Sequence, residues 1–271
     1  MDGSRIILAA HRGEKKYHPE NPMPAFYAAF DAGCEMIETD LHMTKDGELI
    51  IMHDRSALRT CGEDVIINDM TLEEVKRLDA GATFDAKFAG TQVPTVREFL
   101  EWIAPTGMMV NWELKDYPCD VGEERAFECA DKLIDLIIEF KMEKKSMLNS
   151  FSSRVLEHCV NRMGHEILIH GQGIYNARRS KDDPDTDETD LFDWCCVYPK
   201  AQGESVLANP EGFDYCLDHS ILPCILLPDT VENYQKAIDL GVRMFTSNDI
   251  ATADKVLREL GERGTNEEEN N

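Results

Sequence analysis

Side chains suited to acid–base and metal chemistry recur at the ends of four short apolar runs. In length and composition the runs are typical of buried strands, and they cover residues 6–10, 36–41, 49–52 and 108–114. His11 follows the first run, Glu38 and Asp40 lie in the second, His53 follows the third, and Glu113 lies in the fourth. Because ligands and catalytic residues collect at the carboxyl edge of parallel sheets, the sequence predicts that these side chains meet there.

The acidic residues of these runs share faces, because successive side chains of a strand alternate between its two sides. Glu38 and Asp40 therefore face the same way, and Glu113 shares its face with Asn111 and Lys115. Three carboxylates at one sheet edge repel each other unless a cation neutralises them. Oxygen ligands suit a hard divalent ion, Mg²⁺ or Ca²⁺. Zinc is less favoured, because no Cys or His pair has the close spacing of its sites.

Two histidines flank this acidic cluster. His11 and His53 suit general acid and general base chemistry, because imidazole titrates near neutral pH. Alternatively, both are hydrogen-bonded core histidines, and the acids form a buried ion-pair network with Arg12 and Lys115. Such a network carries a considerable desolvation cost with no ligand to justify it. We therefore favour a metal site with an acid–base pair.

The order of the motifs that carry these residues is specific. The strongest motifs are AHRG (10–13), PENPMPAF (19–26), MIETDLHMTKDGELIIMHD (36–54) and NWELK (111–115). Weaker ones follow, namely VPTVREFLEWI (93–103), LNSF (148–151) and GVRMFTSND (241–249). This succession resembles the glycerophosphodiester phosphodiesterase family over nearly the whole chain.

The resemblance implies a TIM (β/α)8 barrel and a metal-dependent hydrolase that converts glycerophosphodiesters to sn-glycerol 3-phosphate and an alcohol. A free glycerol hydroxyl would attack the phosphorus, and water would then open the cyclic phosphate. The resemblance assigns the metal to Glu38, Asp40 and Glu113, acid–base catalysis to His11 and His53, and phosphate binding to Arg12 and Lys115. Which histidine is the acid stays open. Two alternatives also stay open: the same chemistry on a lysophospholipid or another phosphodiester, and a non-catalytic phosphate- or metal-binding barrel.

Alternating strand and helix patterns predict a parallel α/β sheet in a single domain spanning 1–271. Five more strand candidates lie at 146–151, 166–169, 194–198, 221–227 and 243–246. Nine candidates exceed the eight places of a barrel, and we treat 194–198 as the accessory strand. Residues from about 54 to 107 are too many for one crossover. They resemble the small insertion of the family, which follows the third strand and lies over the barrel mouth. The tail 266–271 is predicted to fray.

Capping patterns predict three helix starts. Asn21 is an expected N-cap, because proline suits the first turn that follows it. Thr71 and Thr95 each stand three residues before a glutamate, which is the spacing of a capping box.

Outside the motifs, His18 and His42 are expected at the surface, and His170 is a secondary candidate for the rim of the site. The seventh barrel strand departs from the Trp-Thr-x-Asn of many family members, since the chain has Leu-Leu-Pro-Asp at 226–229. Ser247 and Asn248 also intervene where the last strand usually ends in Thr-Asp. These departures leave the head group of the substrate open. The acidic stretch 182–188 is expected to be a solvated loop, because it lacks the glycine and closing glutamate of a calcium loop.

The amino-acid composition of the chain limits the classes of molecule that we expect it to bind. The formal charge of the 271 residues is −24, which opposes binding to nucleic acid or anionic membranes and favours a small-molecule phosphodiester as the partner. No apolar run approaches the roughly twenty residues of a membrane span, so we expect no stable membrane association. Nine cysteines without a CxxC motif suit reduced thiols. With an N-terminus unlike a signal peptide, they predict a cytoplasmic protein of open oligomeric state.

Overall fold

A computed structural model describes residues 3, 5–173, 191–226 and 228–263. Its sheet contains nine strands, of which eight are parallel and close into a barrel through pairing of the first strand with both the second and the last. The strands are β1 (Ile7–His11), β2 (Met36–Met43), β3 (Leu49–Ile51), β4 (Met109–Leu114), β5 (Ser146–Ser150), β6 (Leu168–Gln172), β7 (Trp194–Cys196), β8 (Leu222–Leu226) and β9 (Met244–Ser247). The prediction of a TIM barrel is confirmed.

Two expectations about individual strands are wrong. Strand β3 pairs antiparallel with β2, with Leu41 opposite Ile51, and it is the accessory strand. The connection between them has five residues and a tight turn at Gly47 (φ 86°), which is too short for a parallel crossover. The insertion therefore follows the second barrel strand. Strand β7, treated above as accessory, pairs in parallel with β6 and β8 and belongs to the barrel.

Ten α-helices are described, and most of them surround the barrel. They are α1 (Met23–Asp31), α2 (Leu58–Cys61), α3 (Leu72–Val75), α4 (Val96–Ile103), α5 (Pro118–Val121), α6 (Glu123–Glu139), α7 (Ser153–Met163), α8 (Pro210–Asp218), α9 (Val231–Asp239) and α10 (Ile250–Glu259). The main core lies between this layer and the strands. Trp112 of β4, for example, meets Phe99 of α4 edge-on, with ring centroids 5.4 Å apart. None of the described helices is long and apolar enough to cross a membrane.

A second, smaller core lies within the segment between β3 and α4. It contains eight buried residues: Ile50, Met52, Ala57, Ile67, Val75, Leu78, Ala80 and Val93. Helix α4 belongs instead to the main core, so only part of the expected insertion at 54–107 packs separately. The capping boxes at Thr71 and Thr95 are both formed. The acidic stretch 182–188 and the tail 266–271 lie outside the described residues.

The loop from β1 to α1 has an unusual backbone. Arg12 has a φ of 59°, and Gly13 follows with a φ of 83°. A Cβ on Gly13 would come within 2.7 Å of the Ala25 backbone, so only glycine fits there. The loop continues to Glu14, whose Oε2 accepts a hydrogen bond from the Ile250 amide at 2.7 Å. This contact joins the start of the barrel to its last helix.

We predict that Glu14→Gln stabilises the protein at pH 8. Burial raises the pKa of Glu14 from 4.5 to about 7, and Oε1 finds no hydrogen-bond partner among the residues that the structure describes. The folded protein thus holds this proton more tightly than the unfolded chain, and stability falls as pH rises from 4.5 through 7. Glutamine keeps the acceptor without the charge, so the free energy of unfolding at pH 8 should rise by up to about 3 kcal/mol.

Urea denaturation at pH 4.5 and pH 8 measures this difference. At pH 4.5 the variant should match the unmodified protein, and Glu101→Gln on the exposed side of α4 should change nothing at either pH. An equal effect of Glu14→Gln at both pH values would contradict the electrostatic explanation.

Candidate active site

Three carboxylates meet at the carboxyl edge of the barrel. Glu38 and Asp40 come from β2 and Glu113 from β4, and each offers an oxygen within 4.8 Å of the others. All three residues are buried. The strand parity inferred from the sequence is confirmed here, because β2 and β4 pair so that Asp40 lies directly beside Glu113.

In this acidic triad, formed by Glu38, Asp40 and Glu113, the pKa values of Glu38 and Asp40 shift in opposite directions. Burial raises the pKa of Glu38 well above its ordinary value, and repulsion from Asp40 and Glu113 adds to the effect. Burial also acts to raise the pKa of Asp40, but the cations of Lys115 and Arg12 outweigh it and hold that pKa below its ordinary value. A neighbouring positive charge therefore decides which carboxylate stays ionised.

The triad fits a hard divalent cation. All the candidate ligand atoms are carboxylate oxygens, which Mg²⁺ and Ca²⁺ prefer. Asp40 Oδ1 is buried and makes no hydrogen bond among the described residues, although Lys115 Nζ lies 3.2 Å away. A buried oxygen without a hydrogen bond is a position that a metal ion can satisfy.

Two cations line the acidic triad. Arg12 Nε lies 3.1 Å from Asp40 Oδ2, and Arg12 Nη1 donates to Glu20 Oε1 at 2.9 Å. Lys115 Nζ contacts Glu113 as well as Asp40. Although burial acts to lower the pKa of Lys115, the carboxylates of Glu113 and Asp40 hold it above its ordinary value. Both residues therefore remain charged beside the triad.

Asn21 also supports the triad, which the sequence analysis missed. Its Nδ2 donates to Asp40 Oδ2 at 2.9 Å, and its Oδ1 accepts from Thr39 Oγ1 at 2.9 Å. The expectation that Asn21 caps α1 is wrong, because Pro22 occupies the N-cap and no side chain caps the helix. The positive φ of Asn21 (73°) turns its amide into the barrel. Its place in the PENP motif was the only signal in the sequence.

His11 is held by the residue that departs from the family pattern. Its Nδ1 lies 2.7 Å from Asn248 Oδ1. Because an amide oxygen only accepts, Nδ1 carries the hydrogen and Nε2 is left with a lone pair. Nε2 lies 3.9 Å from Glu38 Oε2, so it faces the triad. Burial lowers the pKa of His11 to about 3, and the charges of Arg12 and Lys15 contribute.

His53 has a carboxylate partner instead. It reaches the mouth because the backbone amide of Met52, at the end of the returning strand, donates to Asp40 O at 3.0 Å. His53 Nδ1 bonds Asp54 Oδ1, and Arg59 Nε donates to Asp54 Oδ2 at 2.6 Å. Burial lowers the pKa of His53, and the hydrogen bond to Asp54 acts in the opposite direction.

His42 is buried, so its expected surface position is wrong. Its Nδ1 lies 2.7 Å from Asp116 Oδ1 and its Nε2 lies 3.2 Å from the His53 carbonyl oxygen. Both partners accept, so the two bonds form together only when both nitrogens carry hydrogen. Asn68 of the insertion also donates to Asp116, at 3.0 Å. This network fixes the backbone of His53 and ties the insertion to the barrel.

His170 does not reach the rim. It is buried within the barrel, where Nδ1 lies 2.9 Å from Asn111 Nδ2 and Nε2 lies 3.0 Å from Cys224 Sγ. Burial lowers its pKa to about 3, so the ring is neutral. His170 is therefore a core histidine beneath the site.

We predict that His42→Leu destabilises the protein by about 3 kcal/mol, because it leaves the buried carboxylate of Asp116 without the imidazole that it contacts at 2.7 Å. Urea denaturation measures the loss. The same substitution at His165, whose ion pair with Asp193 (2.9 Å) is exposed at the histidine, should cost less than about 1 kcal/mol. Equal losses in the two variants would show that the buried network has no special role.

Comparison with curated proteins identifies related sequences. A glycerophosphodiester phosphodiesterase of Caldanaerobacter subterraneus subsp. tengcongensis is 40% identical over 169 residues. That match covers 61% of this chain and 65% of the relative, so just under two thirds of the relative's length is matched.

Comparison with solved structures shows the fold. A putative glycerophosphoryl diester phosphodiesterase from Silicibacter pomeroyi DSS-3 has a TM-score of 0.79 at 19% identity and covers 95% of each chain. A phosphodiesterase from Oleispira antarctica, solved with the product sn-glycerol-3-phosphate, has a TM-score of 0.78 at 20% identity. It covers 93% of this chain and 96% of its own.

The family assignment rests on a match along the sequence. The model of the glycerophosphoryl diester phosphodiesterase family matches residues 11–264, which begins at His11 and includes every residue of the acidic triad. The chain belongs to the glycerophosphoryl diester phosphodiesterase family.

Proposed function

We propose that this protein hydrolyses glycerophosphodiesters to sn-glycerol 3-phosphate and an alcohol. The observation that carries the proposal is the meeting of a buried carboxylate triad, two histidines and two cations at one mouth of a barrel of this family. Acid–base groups beside a candidate metal site suit phosphoryl chemistry. The relative from Caldanaerobacter is named for the same activity.

Glu38, Asp40 and Glu113 would hold one divalent cation, Mg²⁺ or Ca²⁺. When bound, that ion supplies positive charge that orients the diester and lowers the pKa of the attacking hydroxyl. Arg12 and Lys115 would add fixed positive charge beside the non-bridging phosphate oxygens, where negative charge accumulates during the reaction.

The reaction we infer has two steps. A free glycerol hydroxyl attacks the phosphorus, its proton passes to one histidine, and the phosphorus–oxygen bond to the head group breaks. The other histidine protonates the departing alkoxide, which leaves as the alcohol. Water then attacks the cyclic phosphate with the two histidines in reversed roles, and opening of the ring releases sn-glycerol 3-phosphate.

The hydrogen-bond partners of the two histidines indicate which is the general base and which is the general acid. His11 donates through Nδ1 to a neutral amide oxygen, which leaves Nε2 ready to accept a proton. His53 has the Asp54 carboxylate on Nδ1, and a carboxylate stabilises the imidazolium form that a general acid needs. We therefore assign His11 as the base and His53 as the acid of the first step.

The surroundings of the site favour a small, polar substrate. The cavity next to the His53 pocket measures about 160 Å³, and charged and hydroxyl side chains line it together with Pro19, Ala80 and Phe84. Its size suits the head group of a glycerophosphodiester better than the acyl chain of a lysophospholipid. A formal charge of −24 also fits a small-molecule partner better than nucleic acid. A cytoplasmic location and the absence of stable membrane association stay predictions.

Metal removal tests the function. We predict that sn-glycerol 3-phosphate is released from a panel of glycerophosphodiesters with Mg²⁺ or Ca²⁺, and that chelator or Glu38→Gln lowers the rate by at least about 100-fold. The product is measured by a coupled dehydrogenase assay. Glu63→Gln, an exposed substitution in the insertion, is the matched control and should keep full activity. Undiminished release in chelator would disprove the metal-dependent mechanism.

A second prediction concerns Asn248. Asn248→Leu removes the acceptor that orients His11, so kcat should fall about 10-fold or more with little change in KM. Asn248→Asp restores an acceptor, and its charge favours the protonated ring. It should recover most of kcat and move the acidic limb of the pH–rate profile to higher pH. A Leu variant with the kcat of the unmodified enzyme, or an Asp variant with an unchanged pH profile, would contradict this role.

A further inference from the structure

A cavity of about 160 Å³ opens beside the candidate catalytic residues, between the loop that follows β1 and the insertion. Its polar lining includes Lys15, His18, Glu20, Arg59, Thr60 and Thr83. Glu20 and Thr60 also line a smaller neighbouring pocket whose wall includes His53. The cavity is therefore next to the proposed acid, which is the side from which the head group departs. His18 is half-buried and lines this cavity, so its expected surface position is met only in part.

The cations around the cavity lie close to one carboxylate, that of Glu20. Glu20 accepts from Arg12 at 2.9 Å and from Arg59 at 2.6 Å, and Lys15 Nζ lies 3.9 Å from it. Burial acts to raise the pKa of Glu20, but Arg59 and Arg12 outweigh it and hold that pKa at about 2, so the carboxylate is ionised. Both arginines donate to the same oxygen, Oε1. Arg12 also pairs with Asp40, and Arg59 also pairs with Asp54. Among the charged side chains that line the cavity itself, the cations Lys15 and Arg59 outnumber the one carboxylate, Glu20.

Lys15 is the cation with unused hydrogen-bonding capacity. Within the described part of the chain, its nearest ion-pair partner is the Glu20 oxygen at 3.9 Å, which is beyond hydrogen-bond length. The Lys15 side chain is half-buried, and burial together with the charge of Arg12 lowers its pKa. Such a group gains stability from a ligand that accepts hydrogen bonds or carries negative charge.

The remaining polar groups complement hydroxyls. Thr83 Oγ1 donates to the Thr60 carbonyl oxygen at 2.5 Å, so its lone pairs are left to accept. His18 Nδ1 faces the Glu14 carbonyl oxygen at 3.3 Å, which leaves Nε2 as an acceptor when the ring is neutral. The cavity thus offers an ammonium donor beside two acceptors, and a hydroxyl group can use both kinds.

We propose that this cavity binds the alcohol part of the substrate and selects hydroxyl-rich, uncharged or anionic head groups over quaternary ammonium groups. The inference rests on the proposed function. Phe84 supplies one aromatic wall, but recognition of quaternary ammonium uses aromatic cages. Here two cations, Lys15 and Arg59, face the cavity and would repel a third positive charge.

The experiment compares kcat/KM for glycerophosphoglycerol and glycerophosphocholine, with Mg²⁺ and at saturating metal. The unmodified enzyme should prefer the glycerol head group by about 10-fold or more, since a site built for hydroxyls rejects analogues that lack them. Lys15→Met should lower kcat/KM for the glycerol ester and leave or raise that for the choline ester, so that the preference falls about 10-fold. Thr83→Val should reduce the preference in the same direction by a smaller factor.

Lys87→Met is the matched control, because Lys87 is exposed in the same insertion and does not line the cavity. It should leave the preference unchanged. Equal turnover of both esters, or a stronger preference for choline, would overturn the inference while the proposed function stood. Faster hydrolysis of an acylated diester than of either ester would overturn it as well. Release from none of them, in a folded protein that binds metal, would overturn the proposed function and this inference with it.

Discussion

Mutual repulsion among three buried carboxylates is the constraint on which the site depends. Glu38, Asp40 and Glu113 lie within 4.8 Å of one another at the barrel mouth, and each is removed from water. Such a cluster persists in a folded protein only where positive charge or hydrogen bonds compensate it. Arg12, held at a positive φ, supplies a side-chain cation to Asp40 and a backbone amide to Glu38 at 3.2 Å. The triad therefore keeps negative charge that a bound divalent cation would neutralise.

Local rules predicted the parts of this structure that depend on nearby residues. Strand alternation placed Glu38 and Asp40 on one face, and the capping boxes at Thr71 and Thr95 formed as their spacing indicated. The short turn between β2 and β3 is a further local signal in the sequence. Asp46 and Gly47 form a hairpin-type turn between β2 and β3, and a connection of that length excludes a parallel crossover. The antiparallel β3 was thus predictable, whereas the three residues of β7 give no local sign that they belong to the barrel.

The rest of the site could not be predicted because its contacts join distant segments. His42 and Asp116 are 74 positions apart, and His11 and Asn248 are 237 apart, so no spacing rule relates them. His42 was expected beyond the end of its strand, but β2 continues to Met43 and pairs with β3, and the insertion covers it. The role of Asn248 appears only when the barrel closes and brings it to His11. The proposed base, His11, takes its amide partner from this distant segment, whereas the carboxylate partner of the proposed acid, His53, is the next residue, Asp54.

Glu20 connects the parts of the proposed site that the substrate would meet in turn. Its carboxylate bonds Arg12, which lies beside the acidic triad, and Arg59, which holds the Asp54 partner of His53. It is also the nearest described acid to Lys15 in the adjoining cavity. One ionised side chain thus contacts Arg12 beside the triad, Arg59 behind the proposed acid, and Lys15 in the cavity proposed for the head group. In a chain of formal charge −24, this arrangement keeps local positive charge where an anionic substrate needs it. If the proposed roles hold, catalysis and head-group choice would depend on the same ion-pair network, because the charge of Arg12 already acts on Lys15.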